Sequence, residues 1–195
     1  SVTVAAPPEP AEPSLVRLER SGRWFDGEPG ERRVGGRVAV LCRLPIGGRE
    51  VAFAAVHFES HSDPDERAAQ LEAVFTAIDA YAPGSPALVG GDVNTHSLGR
   101  AELADRALLA RALELDPRRL AEPIPHEPLF ALAERRGWEF RACNALGTAT
   151  ERRSRGGGSS RGTLALDWFF TRGLEVAEPL VIDAVDPETG AALSD

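Results

Sequence analysis

Residues 90–94, GGDVN, place a carboxylate and a carboxamide directly after the apolar run that ends at Val89. Turns also use Gly, Asp and Asn, so this stretch alone does not separate a turn from a reactive site. His57 ends a second apolar run, and Asp167 lies inside a third, LALDWFF. We expect Asp167 to be buried, and burying a carboxylate costs several kcal/mol unless the group is paired or bound. The three stretches together therefore favour a site over unrelated turns.

These residue types suit one kind of chemistry, the metal-assisted transfer of a phosphoryl group to water. That reaction needs a cation on the phosphate oxygens, a group that orients or deprotonates water, and donors for the developing charge. Oxygen donors suit Mg²⁺ or Mn²⁺, whereas thiolates would suit zinc. We expect His57, Asp92, Asn94 and Asp167 to converge, because each lies on or at the end of an apolar strand. Asp195, the last residue, says nothing by itself.

A competing interpretation makes His57 and His61 zinc ligands, since two histidines four residues apart on a helix can bind zinc. Here, however, His57 ends a strand of period two, and Pro64 begins the next helix only later. The spacing therefore does not favour a zinc site. Cys42 and Cys143 lie outside any CxxC pattern, which argues against a cysteine zinc site.

An α/β sandwich is the fold class that the element pattern predicts. Residues 37–44 and 51–58 alternate apolar and other side chains around Gly47-Gly48, which predicts a hairpin. Asp63, Pro64 and Glu66 form a helix-start signature, followed by an apolar stripe at Leu71, Val74, Phe75 and Ile78. Residues 87–90 are then a short buried strand. This strand, helix, strand order is the basis of the prediction.

The remaining segments are less regular. Residues 101–115 and 127–136 are predicted helices, and residues 174–185 are a strand candidate interrupted by a proline. Residues 151–162, ERRSRGGGSSRG, are expected to form a mobile loop without regular structure. Its arginines either hold phosphate or remain solvated. Residues 1–13 are rich in Pro, Ala and Glu and are typical of a linker or extended arm.

The composition is that of a globular domain, with 43% hydrophobic and 27% charged residues. No apolar run approaches the roughly 20 residues of a membrane span. The net charge of −8 disfavours broad, nonspecific adhesion to nucleic acid. It does not exclude a phosphate substrate, because a bound divalent cation can supply positive charge within the site. No obligate protein partner is evident, and the sequence fixes no compartment.

Four stretches in order resemble the endonuclease/exonuclease/phosphatase superfamily. They are AVHFES with Arg67 and Gln70 on the following helix, LVGGDVN, LDWFFTRG, and the terminal LSD. The order agrees with the family pattern from about residue 37 onwards. The resemblance implies a two-sheet sandwich flanked by helices, in four layers (α-β-β-α). It also implies hydrolysis of a phosphodiester or phosphomonoester with Mg²⁺ or Mn²⁺ as the cofactor.

Roles for single residues follow from the resemblance alone. It implies that His57 contacts the scissile phosphate, Asp92 activates water, and Asn94 holds phosphate or metal. It places Asp195 in the metal cluster with Asp92 and Asn94. Asp167 would pair with a histidine of the family's S-D-H motif. We add His96 as a residue that could contact the substrate, because it lies close to Asn94.

Two departures from the family pattern limit this reading. The histidine that should follow Asp195 is not in the sequence, and nothing in residues 1–36 matches the family's upstream Asn and metal-binding Glu. We therefore interpret residues 1–36 as an extended arm or the remnant of an upstream half, and residues 37–195 as a truncated family domain. We expect this chain alone to be inactive or impaired. The alternatives are a non-catalytic binding member of the same fold and a zinc hydrolase that uses His57 and His61.

Overall fold

The computed structural model describes residues 11–18, 37–60, 62–155, 158–162 and 164–182. Within these ranges a mixed five-stranded sheet carries the fold, in the order β1-β2-β3-β4-β7, with a separate two-stranded hairpin of β5 and β6. The strands are β1 (Ala11–Leu18), β2 (Arg37–Ile46), β3 (Arg49–His57), β4 (Ala87–Asp92), β5 (Arg152–Arg155), β6 (Gly158–Arg161) and β7 (Asp167–Arg172). The helices are α1 (Pro64–Tyr81), α2 (Arg100–Ala104), α3 (Arg106–Leu115) and α4 (Pro128–Arg135).

The predicted hairpin and its neighbouring strand are confirmed. β2 and β3 pair antiparallel around Gly47 and Gly48, both of which have positive φ. β3 then pairs parallel with β4, and β4 pairs antiparallel with β7. The parallel pair requires a crossover, and α1 supplies it across one face of the sheet.

Helix α1 begins where its sequence predicts. The amide of Asp63 donates to Oε2 of Glu66 at 3.1 Å, which is the glutamate half of the capping box, and Pro64 occupies the first helical turn. The predicted stripe faces the sheet and is fully buried: Leu71, Val74, Phe75 and Ile78 are each 0% exposed. Burial of such a stripe stabilises the fold by about 1.5–3 kcal/mol per side chain.

One face of the sheet, which we call the inner face, packs against α1 and α4. A cross-strand row on this face joins Leu41, Ala54, Val89 and Phe170 in register, and none of the four is more than 3% exposed. Phe75 of α1 stacks on Trp138 at 4.2 Å between ring centroids. The inner face is therefore a buried core of aliphatic and aromatic side chains.

The opposite, outer face is also apolar, but it is only partly covered. Its matching row joins Leu15, Val40, Ala55, Gly90 and Phe169. Leu15 is 69% exposed and Phe169 is 49% exposed. A cavity of about 930 Å³ opens on this side, lined by residues that include Leu88, Leu180 and Asp167.

The N-terminal range holds one unexpected strand. Residues 11–18 lie in the segment that we expected to be an extended arm or an upstream remnant, yet they pair with β2 as the edge of the sheet. Leu18 is only 2% exposed and belongs to the inner core. These residues are therefore part of the sheet.

Two helix predictions differ from the structure only in detail. The helix expected over residues 101–115 is broken into α2 and α3 at Asp105, whose carboxylate caps α3 by accepting from the amides of Ala107 and Leu108. The helix expected over residues 127–136 is α4, which starts at Pro128. In the described part of the chain, no helix combines the length and apolar character needed to cross a membrane.

Two further expectations are wrong. Residues 151–162 contain the β5–β6 hairpin, because backbone hydrogen bonds can pair two strands whatever their side chains are. The strand expected from residue 174 does not form over residues 174–182. Glu178 has φ 52, and Pro179 has no amide hydrogen to donate, so extended pairing stops there. Residues 183–185 of that expected strand lie outside the described residues.

Candidate active site at one end of the sheet

Strand register brings three of the predicted side chains into one row. His57 pairs with Asp92 across β3 and β4, and Asp92 pairs with Asp167 across β4 and β7. Directly paired residues share a face of the sheet. The row lies on the outer face, two residues along each strand from the apolar row that contains Ala55, Gly90 and Phe169. The convergence inferred from sequence is therefore a property of the register.

The two glycines before Asp92 allow this pairing. Gly91 has φ 143, and a Cβ placed there would lie 2.0 Å from the carbonyl oxygen of Val56 on β3. A Cβ on Gly90 would lie 2.5 Å from the ring of Phe169 on β7. The close approach that requires glycine is thus between neighbouring strands, on both sides of β4.

Asp92 is the central carboxyl group of the row, and its pKa is raised. Burial raises its pKa to about 6, the amide of Asn94 opposes that shift, and the negative charge of Asp167 adds to it. Its Oδ2 lies 3.6 Å from Nε2 of His57, which is too long for a good hydrogen bond but close enough for charge attraction when the imidazole is protonated. A carboxyl with a pKa near 6 accepts a proton more readily than an ordinary aspartate at neutral pH.

Asn94 lies in the turn directly after β4, in a left-handed conformation with φ 53. Its amide nitrogen donates to Oδ1 of Asp92 at 2.9 Å, and its side-chain Nδ2 donates to the carbonyl of Phe58 at 2.9 Å. Asn94 is 6% exposed. It therefore fixes the Asp92 carboxylate and ties the ends of β3 and β4 together.

His96 is 8% exposed and has backbone partners at both ring nitrogens. The amide of Leu98 donates to Nδ1 at 3.2 Å, so Nδ1 carries no proton. Nε2 therefore carries the proton and donates to the carbonyl of Ser60 at 2.7 Å. This geometry joins the turn after β4 to the segment after β3. The predicted contact of His96 with a substrate stays a prediction.

Asp167 is not buried, contrary to the expectation from its apolar neighbours. It is the first residue of β7 and is exposed, so the expected cost of burying its carboxylate does not apply. Its place in the row comes from register with Asp92. Two other residues of the predicted site, Asp195 and His61, lie outside the described residues. His57 lies on a strand, so the helical geometry of the zinc alternative is not present at that residue.

A buried ion pair between Arg67 and Glu127 holds the loops that follow β3 and β4. Glu127 was not identified from the sequence. Arg67 and Glu127 are 0% and 2% exposed and form a two-pronged contact, with Nη2 to Oε1 at 2.7 Å and Nε to Oε2 at 3.2 Å. Glu127 also accepts from the amide of Ser97, and Arg67 donates to the carbonyls of Ser62 and Leu98. The pair thus joins both loops that follow the site strands. The only signal of Glu127 in the sequence is its position directly before Pro128.

The described residues fit a hard divalent cation in part. Asp92 and Asp167 are paired in register, and the pKa of Asp92 is raised mainly by burial and further by the charge of Asp167. A cation beside these carboxylates would favour their ionised forms. Oxygen donors of this kind suit Mg²⁺ or Mn²⁺. Over the described ranges, no group of three or more His, Cys, Asp or Glu side chains could hold a metal ion. These ranges therefore supply part of a ligand set.

The chain matches the sequence profile of the Endonuclease/Exonuclease/phosphatase family over residues 5–195, and it belongs to that family. The family comprises phosphoesterases and nucleases, which agrees with the class of site described above. No curated protein matches the chain in sequence.

Two solved structures illustrate the likeness in fold. An endonuclease/exonuclease/phosphatase family protein from Bacteroides thetaiotaomicron aligns with a TM-score of 0.51 and 16% identity, over 84% of this chain and 50% of that one. A mannosyl-6-phosphatase from Bacteroides thetaiotaomicron aligns with a TM-score of 0.50 and 15% identity, over 85% and 53%. At these identities the likeness establishes the fold alone. The chain spans about half the length of the structures it matches.

Proposed function

We propose that this chain carries the catalytic row of a divalent-metal-dependent phosphoesterase, which hydrolyses a phosphodiester or a phosphomonoester by attack of water. The observation that carries the proposal is the register of His57, Asp92 and Asp167 at one end of the sheet. Membership of a phosphoesterase and nuclease family supports it. The likeness to a mannosyl-6-phosphatase is consistent with a phosphate-containing substrate.

In this proposal Asp92 orients and deprotonates the attacking water. Its carboxylate is fixed by the amide of Asn94, and its raised pKa of about 6 makes it a stronger base than a solvated aspartate. His57, on the neighbouring strand, lies where it can contact the scissile phosphate and its developing charge. Asp167 adds negative charge beside Asp92 and thereby helps to set its basicity.

Asp92 and Asn94, together with Asp195, are the residues that would hold Mg²⁺ or Mn²⁺. When bound, the cation would neutralise charge on the phosphate oxygens and lower the pKa of water. Asp92, Asn94 and His57 would position the phosphate and the water around it. The described site supports this assignment in part, because Asp92 supplies a carboxylate and Asp167 adds negative charge beside it.

We also propose that the outer face of the sheet is covered by a second sheet, which completes a four-layer sandwich. That sheet would come from polypeptide beyond these 195 residues, in a protein of the length of the matched structures, here called the intact protein. The apolar outer row of Leu15, Val40, Ala55 and Phe169 supports this, since a sheet with water on one side carries polar residues there. The 195-residue chain alone would then be inactive or impaired.

The function is tested by hydrolysis in the intact protein, with Mg²⁺ or Mn²⁺ and a panel of phosphodiesters and phosphomonoesters. Asp92→Asn should lower kcat/KM by roughly 10²- to 10⁴-fold, because it removes the base without changing the shape of the side chain. Asp65→Asn removes an exposed carboxylate from the first turn of α1 and should leave the rate unchanged.

Three results would sink this proposal. Equal activity in the Asp92→Asn and Asp65→Asn proteins would remove Asp92 from the chemistry. Tight binding of phosphoesters without any turnover would identify a non-catalytic member of the fold. Turnover with zinc alone, lost on replacement of His57 and His61, would favour the zinc hydrolase.

A further inference from the structure

Thr95 lies in the turn after β4, is 0% exposed, and contacts the segment that leads into β7. Its Oγ1 donates to the carbonyl of Ala165 at 2.6 Å and accepts from the indole Nε1 of Trp168 at 2.7 Å. The same indole nitrogen also donates to Ala165 at 2.9 Å. One hydroxyl thus joins the turn that follows Asp92 to residues on both sides of Asp167.

Asp167 needs such a tie because it is exposed and begins its strand. Strand ends open more readily than strand centres, since fewer contacts hold them. Three other hydrogen bonds act on the same short segment. The amide of Val93 donates to the carbonyl of Leu166 at 2.9 Å, and Oγ1 of Thr150 accepts from the amides of Leu166 and Asp167. Thr95 links this segment to the turn that follows Asp92, whereas Thr150 accepts hydrogen bonds from the backbone amides of the segment.

We propose that Thr95 is a positioning residue that fixes Asp167 relative to Asp92 through its contacts with Ala165 and Trp168. The hydroxyl is buried. It donates one hydrogen bond to Ala165, just before β7, and accepts one from Trp168, the second residue of β7. The catalytic consequence rests on the proposed function, in which Asp167 lies beside the base. The structural consequence, that Thr95 sets the position of Asp167, does not.

The decisive variant is Thr95→Val, which keeps the shape of the side chain and removes both hydrogen bonds. Thr95→Ser restores the hydroxyl and serves as the rescue. Thr171→Val is the matched control, because Thr171 is a buried threonine on β7, 1% exposed and four residues beyond Asp167. All three are compared with the unchanged protein.

The first readout is independent of catalysis. In metal-free protein, NMR should show that the amide and carboxyl resonances of Asp92 and Asp167 move in Thr95→Val and stay in place in Thr95→Ser and Thr171→Val. Unmoved Asp92 and Asp167 resonances in Thr95→Val would overturn the proposal. Equal movement in Thr171→Val would also overturn it, because the effect would then be general loosening of β7.

The second readout is the kinetics of the intact enzyme with Mg²⁺. Thr95→Val should lower kcat about 10- to 100-fold while KM changes less than about twofold, because a small misplacement costs rate more than binding. Thr95→Ser should recover most of kcat. A fall confined to KM, or no rescue by serine, would count against positioning. If the unchanged enzyme turns over no phosphoester, the proposed function fails, and the NMR result still decides the role of Thr95.

Should Thr95→Val not fold, Trp168→Phe removes only the indole donor and keeps an aromatic ring in the core. The same Asp167 resonances should then move by a smaller amount, since the bond from Thr95 to Ala165 remains. Trp168→Phe with unmoved Asp167 resonances would overturn the proposal by itself.

Discussion

At the scale of single residues, Asp92 shows a conflict between stability and function. Its folded-state pKa of about 6 lies above its ordinary value of 3.8, and the main cause is burial. A raised carboxyl pKa means that the folded state binds the proton more tightly than the unfolded state. The stability contributed by this group is therefore present at low pH and is lost as pH rises from about 4 to about 6.

Asp92→Asn should consequently make the metal-free chain more stable at pH 7. One pKa unit corresponds to about 1.4 kcal/mol, and with allowance for a side chain that is 32% exposed we expect a gain of about 1–2 kcal/mol. The gain should be much smaller near pH 4, where the folded wild type holds the proton and the unfolded wild type holds it in part. The measurement is urea unfolding with EDTA at both pH values, with Asp65→Asn as the control.

The outcome that would contradict this prediction is an Asp92→Asn protein that is no more stable than wild type at pH 7. A gain of equal size at pH 4 would show that its cause is something other than ionisation. A gain at pH 7 alone would identify Asp92 as a residue held in an unfavourable state, as sites of acid–base chemistry often are.

At the scale of elements, the pairing of β4 with β3 requires glycine at position 91. Gly91→Ala should cost at least about 3 kcal/mol or prevent folding, because its Cβ would overlap the carbonyl of Val56 and its φ of 143 is unfavourable for alanine. Gly48→Ala is the control: its φ is 76, nothing lies within 4 Å, and it should cost about 1 kcal/mol. Thermal unfolding and amide exchange on β3 and β4 measure both. Equal costs would mean that strand approach at Gly91 does not matter.

The sequence predicted those elements in which local and long-range signals agree. The helix-start signature at Asp63, Pro64 and Glu66 and the apolar stripe of α1 are local patterns, and the helix begins and packs where they predict. The β2–β3 hairpin has alternation and a Gly-Gly turn. β1 was not predicted, because it follows and overlaps residues 1–13, which are rich in Pro, Ala and Glu, and its edge position comes from pairing with β2. The β5–β6 hairpin was missed for the same reason, since composition does not reveal backbone pairing.

The candidate site shows the same division. Residue types identified His57, Asp92 and Asp167, and register alone shows why they meet. The contacts that hold them were not predictable from one sequence. Thr95 and Glu127 act across 70 and 30 residues, to Ala165 and Ser97, and neither has a local signature of that role. Long-range hydrogen bonds of this kind appear only when the fold is known.

At the scale of the whole molecule, the sheet has two apolar faces and one complete core. Phe170 points to the inner face and is 0% exposed, while Phe169 points to the outer face and is 49% exposed. Strands that are buried on both faces carry apolar residues at nearly every position, and DWFF at the start of β7 has that character. Substitutions of Phe169 and Phe170 can therefore show whether a second layer covers the outer face.

Phe170→Ala should destabilise both the 195-residue chain and the intact protein by about 3–5 kcal/mol, because it opens a cavity in the inner core. Phe169→Ala should cost the 195-residue chain less than about 1 kcal/mol, since half of that ring already lies in solvent. In the intact protein the same change should cost about 3 kcal/mol, because a second sheet would bury the ring. Urea unfolding of the two variants in both proteins measures the difference. A small cost of Phe169→Ala in the intact protein would leave the outer face open to solvent, and the cavity beside Asp167 would then be a surface feature of the functional molecule.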